Sequence, residues 1–227
     1  MSAWHEGVIA ALDLETTGVD PLDARIVQAS LVFVEPDGTL GTESWTGLVD
    51  PGVDIPVGAS NVHGITTEMA REHGIRLAEA LGHLLDRLDR VVERTLPLVI
   101  YNAPYDWPLL LAEARRNDLT VPRALIIDPL ICDRAMDRFR PGSRRLEDVA
   151  GHYGYVLDDA HDAEADAVAS VAIARAVAAS FSDVGQQSPA ELQQLQAEWY
   201  AEWARSLSEF RGEPIDPGWP LPERAAV

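Results

Sequence analysis

The sequence contains no lysine, only one cysteine and no apolar run long enough to cross a membrane. A membrane-spanning helix needs about 18 to 20 consecutive apolar residues, so we expect no membrane insertion. Cys132 cannot form an internal disulfide bond, which favours a reducing, cytoplasmic location. The first residues lack the basic segment of a signal peptide, and their apolar run ends at Asp13. We therefore expect no secretion signal.

Positive charge is also scarce. The 18 basic side chains are all arginine and stand against 37 Asp and Glu, which gives a formal net charge of −19. A chain with this balance is repelled by nucleic acid and by anionic membranes, which excludes a generic electrostatic binder of either. It does not exclude an enzyme that meets phosphates through bound divalent metal ions, because such ions reverse the local sign of a carboxylate cluster.

The length and the apolar content suit one ordinary domain with a modest appendage. The chain has 227 residues, of which 47% are hydrophobic, enough for a substantial core. We predict a first domain over residues 1–183 and a C-terminal helix with a proline-rich tail over residues 184–227.

The hydrophobic pattern predicts a mixed sheet. Strands are expected at residues 7–15, 25–35, 39–49, 98–101 and 125–127. The first three are joined by hairpin-type turns, which indicates antiparallel pairing. The later strands alternate with helices, expected at residues 77–95, 104–117, 129–138, 146–153 and 162–180. The pattern therefore favours an α/β architecture with a five-stranded mixed sheet and helices on both faces.

The C-terminal appendage begins with a strong helix-start signal. Ser188, Pro189 and Glu191 occupy the cap, the first helical position and the third helical position, respectively. The helix is predicted to run to about Arg211. Its apolar stripe comprises Leu192, Leu195, Trp199, Trp203, Leu207 and Phe210. The stripe packs either on its own domain or on a partner, such as a polymerase or a second copy. The tail from Gly212 is expected to be extended or disordered.

Acidic residues follow or open the predicted elements at three separate places. Asp13 and Glu15 end the first strand and point to the same side, where they repel each other unless a cation lies between them. Asp106 falls in the first turn of a helix after a strand, and His161 and Asp166 open a later helix. Taken singly, these are a solvated strand end, a helix N-terminal acid and a residue near a helix cap. Their order along about 150 residues is much more specific.

That order resembles the DEDDh-type 3′→5′ exonucleases of the ribonuclease H-like superfamily, such as the epsilon-like proofreading subunits of DNA polymerase III. The first motif of the family matches Asp13 and Glu15, which are followed by a Thr-Thr-Gly turn. The second matches Asn102-Ala103-x-x-Asp106, and the third matches His161 and Asp166. The resemblance covers residues 7–180 and implies a ribonuclease H-like fold.

The resemblance implies a phosphodiesterase that uses two Mg²⁺ or Mn²⁺ ions. Asp13 would bridge both ions, Glu15 and Asp166 would complete one site, and Asp106 would help hold the other. His161 would take a proton from the attacking water, since the ordinary pKa of histidine suits that task. The product would be a nucleoside 5′-monophosphate released from a 3′ end. All four carboxylates are therefore expected to be metal ligands.

The resemblance also implies contacts to the terminal nucleotide. It places Thr16 and Thr17 near the terminal sugar, and His63, Ile65 and Tyr105 near the terminal base, with Asn102 as a further contact. The structural alternatives are turn residues for the threonines and core packing for Ile65 and Tyr105. A cluster of arginines either tracks the phosphates of the strand or balances nearby acids: Arg134, Arg138, Arg140, Arg144 and Arg145.

We therefore expect a metal-dependent 3′→5′ exonuclease acting on single-stranded or mismatched DNA ends, with proofreading or DNA repair as its setting. An exoribonuclease that trims short RNA or RNA 3′ ends is the alternative within enzymes. A non-catalytic nucleic-acid or polymerase-interaction module is the alternative outside them. All five catalytic positions are filled, which favours an enzyme.

Overall fold

The structure, a computed structural model, describes residues 3–157 and 160–222. The strands are β1 Ile9–Thr16, β2 Ile26–Val34, β3 Trp45–Asp50, β4 Ile75–Arg76, β5 Pro97–Val99 and β6 Leu125–Ile127. The helices of the first half are α1 Val57–His63, α2 Thr67–His73, α3 Leu77–Glu93 and α4 Ala103–Arg116. Those of the second half are α5 Pro129–Met136, α6 Leu146–His152, α7 Ala163–Ser180, α8 Ser182–Gly185 and α9 Pro189–Arg211.

In the described part of the chain, six strands form one mixed sheet in the order β4-β3-β2-β1-β5-β6. β1 pairs antiparallel with β2 and parallel with β5, so it is a central strand. The predicted α/β class and mixed sheet are confirmed. The sixth strand, β4, was missed because a strand of two residues shows no hydrophobic period.

The third strand is shorter than the expected residues 39–49. Within the predicted strand, Leu40 makes only an isolated bridge to Val34 before β3 begins at Trp45. Between them, Gly41 donates its N–H to the Phe33 carbonyl at 2.7 Å, and Ser44 Oγ accepts the Phe33 N–H at 3.0 Å. The Ser44 hydroxyl thus takes a backbone donor that a continuous ladder would pair with a backbone carbonyl.

The two faces of β1 belong to two different layers. Ala10, Leu12 and Leu14 pack in the core with α3 and α4. Ile9 and Ala11 pack in a second core with α7. Because side chains alternate along a strand, Asp13 and Glu15 continue the face that α7 covers. The helix that carries Asp166 therefore lies on the same face as the two acids of β1.

The C-terminal helix packs on its own domain. Ser188 and Glu191 form the predicted reciprocal capping pair. The buried residues of α9 are Leu192, Gln196 and Ala204, spaced by multiples of four along one ridge, and Gln196 bonds to the backbone of β6. The predicted stripe is only partly right, since Phe210 is 87% exposed. Among the described residues, no helix combines the length and apolarity that a membrane span requires.

Two C-terminal segments differ from expectation. Residues 182–187 have the polar composition of a hinge, but they include the short helix α8, in which Val184 and Gly185 are buried. The described tail after Gly212 has no helix or strand, but it returns to the domain and buries Trp219 in the core. A tryptophan offers enough apolar surface to anchor an otherwise irregular segment.

Substitutions at two glycines, Gly74 and Gly82, test how tightly the chain packs before and within α3. A Cβ at Gly74 would collide with the Ala70 carbonyl and lie 2.6 Å from the Asp50 amide nitrogen, whereas a Cβ at Gly82 meets nothing within 4 Å. We expect Gly74→Ala to lower the free energy of unfolding by about 1–3 kcal/mol, because backbone must shift. Gly82→Ala, in the exposed middle of α3, should raise it by about 0.5–1 kcal/mol. Urea unfolding measures both, and equal midpoints for the two variants would contradict this packing.

Candidate active site

The first two acids of the site lie where β1 leaves the core. Ile9 to Leu12 are fully buried, and Asp13 and Glu15 then alternate with buried Leu14 and Thr16. Because β5 and β6 run parallel to β1, the carboxyl ends of all three strands meet at one edge of the sheet. Ligand sites of α/β proteins form at such edges.

Asp106 reaches this edge from α4. The residue directly before this helix, Asn102, has a left-handed backbone with φ 62°. Asp106 is only 5% exposed, and its Oδ1 accepts the N–H of Leu14 at 3.1 Å. Leu14 lies between Asp13 and Glu15, so this bond ties the third acid directly to the strand that carries the first two.

His161 and Asp166 come from the start of α7. His161 is exposed and has a left-handed backbone with φ 69°. Its backbone N–H donates a hydrogen bond to Asp166 Oδ2 at 3.2 Å. Asp162 caps the helix by accepting the N–H groups of Glu164 and Ala165. The sharp turn at His161 thus places it beside Asp166, which lies in the first turn of α7, and both residues can face one cleft.

Burial and neighbouring charges raise the pKa values of the carboxylates in this site. Burial, followed by the charges of Asp106, Asp166 and Glu15, raises the pKa of Asp13 well above its usual value. Burial and the charge of Asp166 raise the pKa of Glu15 to about 7. Burial also raises the pKa of Asp166 to about 6, against the opposing contact with His161. Four acids thus share a cleft that lacks enough positive charge to balance them.

This donor set fits a divalent metal ion. One ligand atom each from Glu15, His161 and Asp166 lie within 4.8 Å of one another. Asp166 Oδ1 is buried and has no hydrogen-bond partner among the described residues. A buried carboxylate oxygen without a partner is costly unless a cation occupies its free side. Carboxylate oxygens are the ligands that Mg²⁺ and Mn²⁺ prefer in proteins.

Thr16 and Tyr105 lie together at the turn after β1. The Thr16 hydroxyl donates to the Gly18 carbonyl at 3.0 Å, and the Tyr105 hydroxyl contacts both of these groups. Thr17 Oγ1 accepts the Arg25 N–H at 3.0 Å and so closes the turn. Both threonines thus hold the turn, and the Tyr105 hydroxyl lies against it.

His63 and Ile65 line a cavity beside His161. This cavity of about 370 Å³ is lined by Gln28, His63, Ile65, Ala160, His161 and Asp162. His63 Nδ1 accepts the Ile65 N–H at 3.1 Å, while its Nε2 is buried without a partner in the described structure. Burial, aided by the nearby His161, lowers the pKa of His63. Ile65 packs in a small core with Val27 and also lines this cavity.

Asn102 opens on a second cavity of about 580 Å³, which His161 and Asp166 also line. Part of the arginine cluster forms its far side: Arg134, Arg144 and Arg145. Most of the cluster balances other groups. Arg140 and Arg144 both pair with buried Asp133, Arg138 pairs with Glu202, and Arg134 stacks 4.4 Å from the Trp203 ring centroid. Within the described ranges, the exposed Arg145 makes no ion pair.

Sequence analysis missed two residues that organise the site. Gln28, which pairs with Glu15 in the sheet register, donates to Asp162 Oδ2 at 3.1 Å and accepts the Ala163 N–H at 3.1 Å. Asp128 directly follows β6 and accepts the N–H groups of Asn102 and Ala103. The sequence marks both residues. Gln28 is a polar residue within an apolar strand, and Asp128 is an acid directly after an apolar strand.

Comparison with known proteins gives relatives that are nucleases or polymerases by name. The chain is 34% identical over 110 residues to a DNA polymerase III subunit epsilon-like protein of Rhodobacter capsulatus, covering 48% of this chain and 14% of the relative. It is 31% identical over 109 residues to a PolC-type DNA polymerase III of Thermotoga petrophila, covering 48% of this chain and 7% of the relative. The chain thus spans a small part of the length of these relatives.

The fold is similar to that of Escherichia coli exonuclease I, solved in complex with a dT13 oligonucleotide. The TM-score is 0.63 at 23% identity, over 75% of this chain and 41% of that one. A family model described as exonuclease matches residues 10–174, which include all five predicted catalytic residues. Because this match spans well over half of the sequence, the chain belongs to the exonuclease family, as the DEDDh-type order of its acids predicts.

Proposed function

We propose that the protein is a metal-dependent 3′→5′ exonuclease that acts on DNA ends, single-stranded or mismatched, and releases nucleoside 5′-monophosphates. The observation that carries the proposal is the group formed by Glu15, His161 and Asp166, whose ligand atoms lie within 4.8 Å of one another. Asp166 Oδ1 is buried without a partner among the described residues, and the charges of Asp106, Asp166 and Glu15 all act on nearby Asp13. Family membership supports the reaction class. The 3′→5′ polarity rests on the resemblance to DEDDh-type enzymes.

Each residue of the site has a defined task in this proposal. Asp13, Glu15, Asp106 and Asp166 hold two divalent ions, Mg²⁺ or Mn²⁺, which supply Lewis-acid stabilisation of charge on the phosphate. His161 is exposed at the mouth of the cleft and lies next to Glu15 and Asp166. Its imidazole accepts a proton from the attacking water. The hydrogen bond from its backbone N–H to Asp166 Oδ2 holds the residue at the cleft.

In this proposal, the two cavities beside His161 bind two successive nucleotides of the substrate. The one of about 370 Å³ is of a size for a single nucleoside, and it offers the free Nε2 of His63 and the apolar side of Ile65. Thr16, Tyr105 and Asn102 are further proposed contacts to the terminal nucleotide, which rest on the resemblance to DEDDh-type enzymes. The cavity of about 580 Å³ receives the preceding nucleotide, where Arg145, which has no ion-pair partner in the described part of the chain, faces a phosphate.

DNA is the proposed substrate because the similar proteins point to it. The curated relatives are named for DNA polymerase III, and the E. coli exonuclease I structure holds a DNA oligonucleotide. The net charge of −19 disfavours tight binding of a long strand by this chain alone. Short substrates, or ends delivered by a polymerase, fit that charge better, and the single buried cysteine fits the cytoplasm.

We expect the protein to shorten a 5′-labelled single-stranded DNA from its 3′ end in Mg²⁺ or Mn²⁺ and to be inactive in EDTA. Asp13→Asn should reduce the rate by at least about 10³-fold, since it removes a ligand proposed to be shared by both ions. A gel assay with DNA, RNA of the same sequence and a duplex with a mismatched 3′ end measures this and tests the choice of DNA.

Asp89→Asn is the matched control, because Asp89 is an exposed acid on α3 far from the cleft. It should leave the rate unchanged. A metal-dependent ladder that Asp13→Asn leaves intact would show that the activity does not come from this site. A ladder on RNA alone would replace DNA by RNA as the substrate.

The raised pKa values predict that these carboxylates destabilise the fold when no metal ion is bound. A carboxyl whose pKa is higher in the folded state favours folding below its unfolded pKa, near 4, and loses that advantage as the pH rises through its folded value. For Glu15 this loss runs up to pH about 7. We expect metal-free Glu15→Gln to melt at least about 2 °C higher than the metal-free wild type at pH 8, and by a smaller margin at pH 5.

Mg²⁺ should reverse the order at pH 8 by stabilising the wild type more than the variant. Glu198→Gln, an exposed acid of α9, is the control and should show neither effect. Thermal unfolding followed by circular dichroism, with EDTA and with Mg²⁺, measures all three proteins. A metal-free Glu15→Gln no more stable than the wild type would contradict carboxylate repulsion at this site.

A further inference from the structure

The C-terminal tail touches the strand ends that carry the candidate active site. Trp219 is 8% exposed and packs in the core that also contains Leu12 and Trp107. Its indole Nε1 donates a hydrogen bond to Asp128 Oδ2 at 3.4 Å. Neither residue belongs to the catalytic set, so the contact needs an explanation of its own.

Asp128 connects two helix starts through one fully buried carboxylate. Its Oδ1 accepts the N–H groups of Asn102 and Leu130, each at 3.0 Å, and its Oδ2 accepts that of Ala103 at 2.9 Å. The first N–H groups of a helix have no partner within the helix, so this carboxylate caps α4 and α5 together. It also bonds to the backbone of Asn102, which has the left-handed conformation that asparagine tolerates better than most other non-glycine residues.

The position of Asp106 depends on the turn at Asn102 and Ala103, which Asp128 holds. It lies in the first turn of α4, and its Oδ1 is tied to the Leu14 N–H of β1. A shift of the backbone at Asn102 and Ala103 therefore changes where Asp106 stands relative to Asp13 and Glu15. Metal ligands tolerate displacements of only a few tenths of an ångström.

The C-terminal helix secures the other side of Asp128. Gln196 Oε1 accepts the Asp128 N–H at 2.6 Å, and its Nε2 donates to the Ile126 carbonyl at 3.1 Å. The helix thus holds the backbone of Asp128, while the tail supplies a donor to its carboxylate. Indole N–H groups that are buried usually have such a partner.

We propose that Trp219 is a positioning residue of the metal site. By bonding to Asp128 it holds the turn at Asn102 and Ala103, and so sets the place of Asp106 among the other carboxylates. The inference rests on the proposed function only in taking these carboxylates as a divalent-metal site. It makes residues 189–222 a working part of the nuclease and not a separable partner-binding module.

Trp219→Phe in the full-length protein tests this, because it removes the N–H donor and keeps an aromatic ring. Trp203→Phe is the matched control, since Trp203 lies in α9 and stacks on Arg134 without a bond to Asp128. We expect Trp219→Phe to raise the Mn²⁺ concentration for half-maximal binding by roughly fivefold, below the tenfold or more typical of a direct partner of a ligand. Trp203→Phe should stay within about twofold of the wild type. The electron paramagnetic resonance signal of free Mn²⁺ measures the binding.

Asp128→Asn is the second variant and carries the test if Trp219→Phe does not fold, as judged by metal-free thermal unfolding. It should weaken Mn²⁺ binding in the same direction, and the double variant should weaken it no more than the stronger single one, because both act through one turn. In the nuclease assay the Mg²⁺ requirement should rise while the KM for the oligonucleotide stays constant.

Folded Trp219→Phe that binds Mn²⁺ as the wild type does would overturn the proposal, and so would equal losses in the two tryptophan variants. If Asp128→Asn has to carry the test, wild-type Mn²⁺ binding in that variant would overturn it equally. A wild type that binds Mn²⁺ but cleaves no nucleic acid would refute the proposed function, while the Mn²⁺ comparison would still decide the role of Trp219. A wild type that binds no Mn²⁺ would overturn both.

Discussion

Repulsion among four carboxylates at the end of β1 is the constraint on which the rest of the structure depends. Burial and neighbouring carboxylates raise the pKa values of Asp13, Glu15 and Asp106, and burial raises that of Asp166. One oxygen of Asp166 is buried without a partner among the described residues. A fold keeps such a cluster only if the surrounding packing holds it in place and a ligand repays its cost. The two cores on either side of the central strand supply the packing, and divalent ions supply the ligand in our proposal.

The alternation of β1 brings the acids together. One face of the strand packs against α3 and α4, and the other packs against α7. α7 covers the face of Asp13 and Glu15 directly, while α4 reaches it around the strand end through the bond between Asp106 and Leu14. The site thus depends on capped helix starts, held by Asp162 with Gln28 at α7 and by Asp128 at α4.

The sequence predicts most of the sheet from local rules, while the grouping of the candidate catalytic residues comes from the resemblance to a family. An apolar run predicts β1, alternation places Asp13 with Glu15, and the motif order points to Asp106, His161 and Asp166. Non-local contacts escape such rules. The bond from Trp219 to Asp128 spans 91 residues, and the one from Gln28 to Asp162 spans 134. β4 is too short for any period, and a proline-rich tail gives no sign that one indole anchors it.

A crystal structure grown in Mn²⁺ tests the central claim most directly, because manganese is located by its anomalous scattering. The account predicts two manganese peaks among Asp13, Glu15, Asp106 and Asp166, with Asp13 in contact with both and Asp166 Oδ1 no longer unpartnered. Crystals in millimolar Mn²⁺ whose carboxylates bind no ion, or bind it only outside this cluster, would contradict the account.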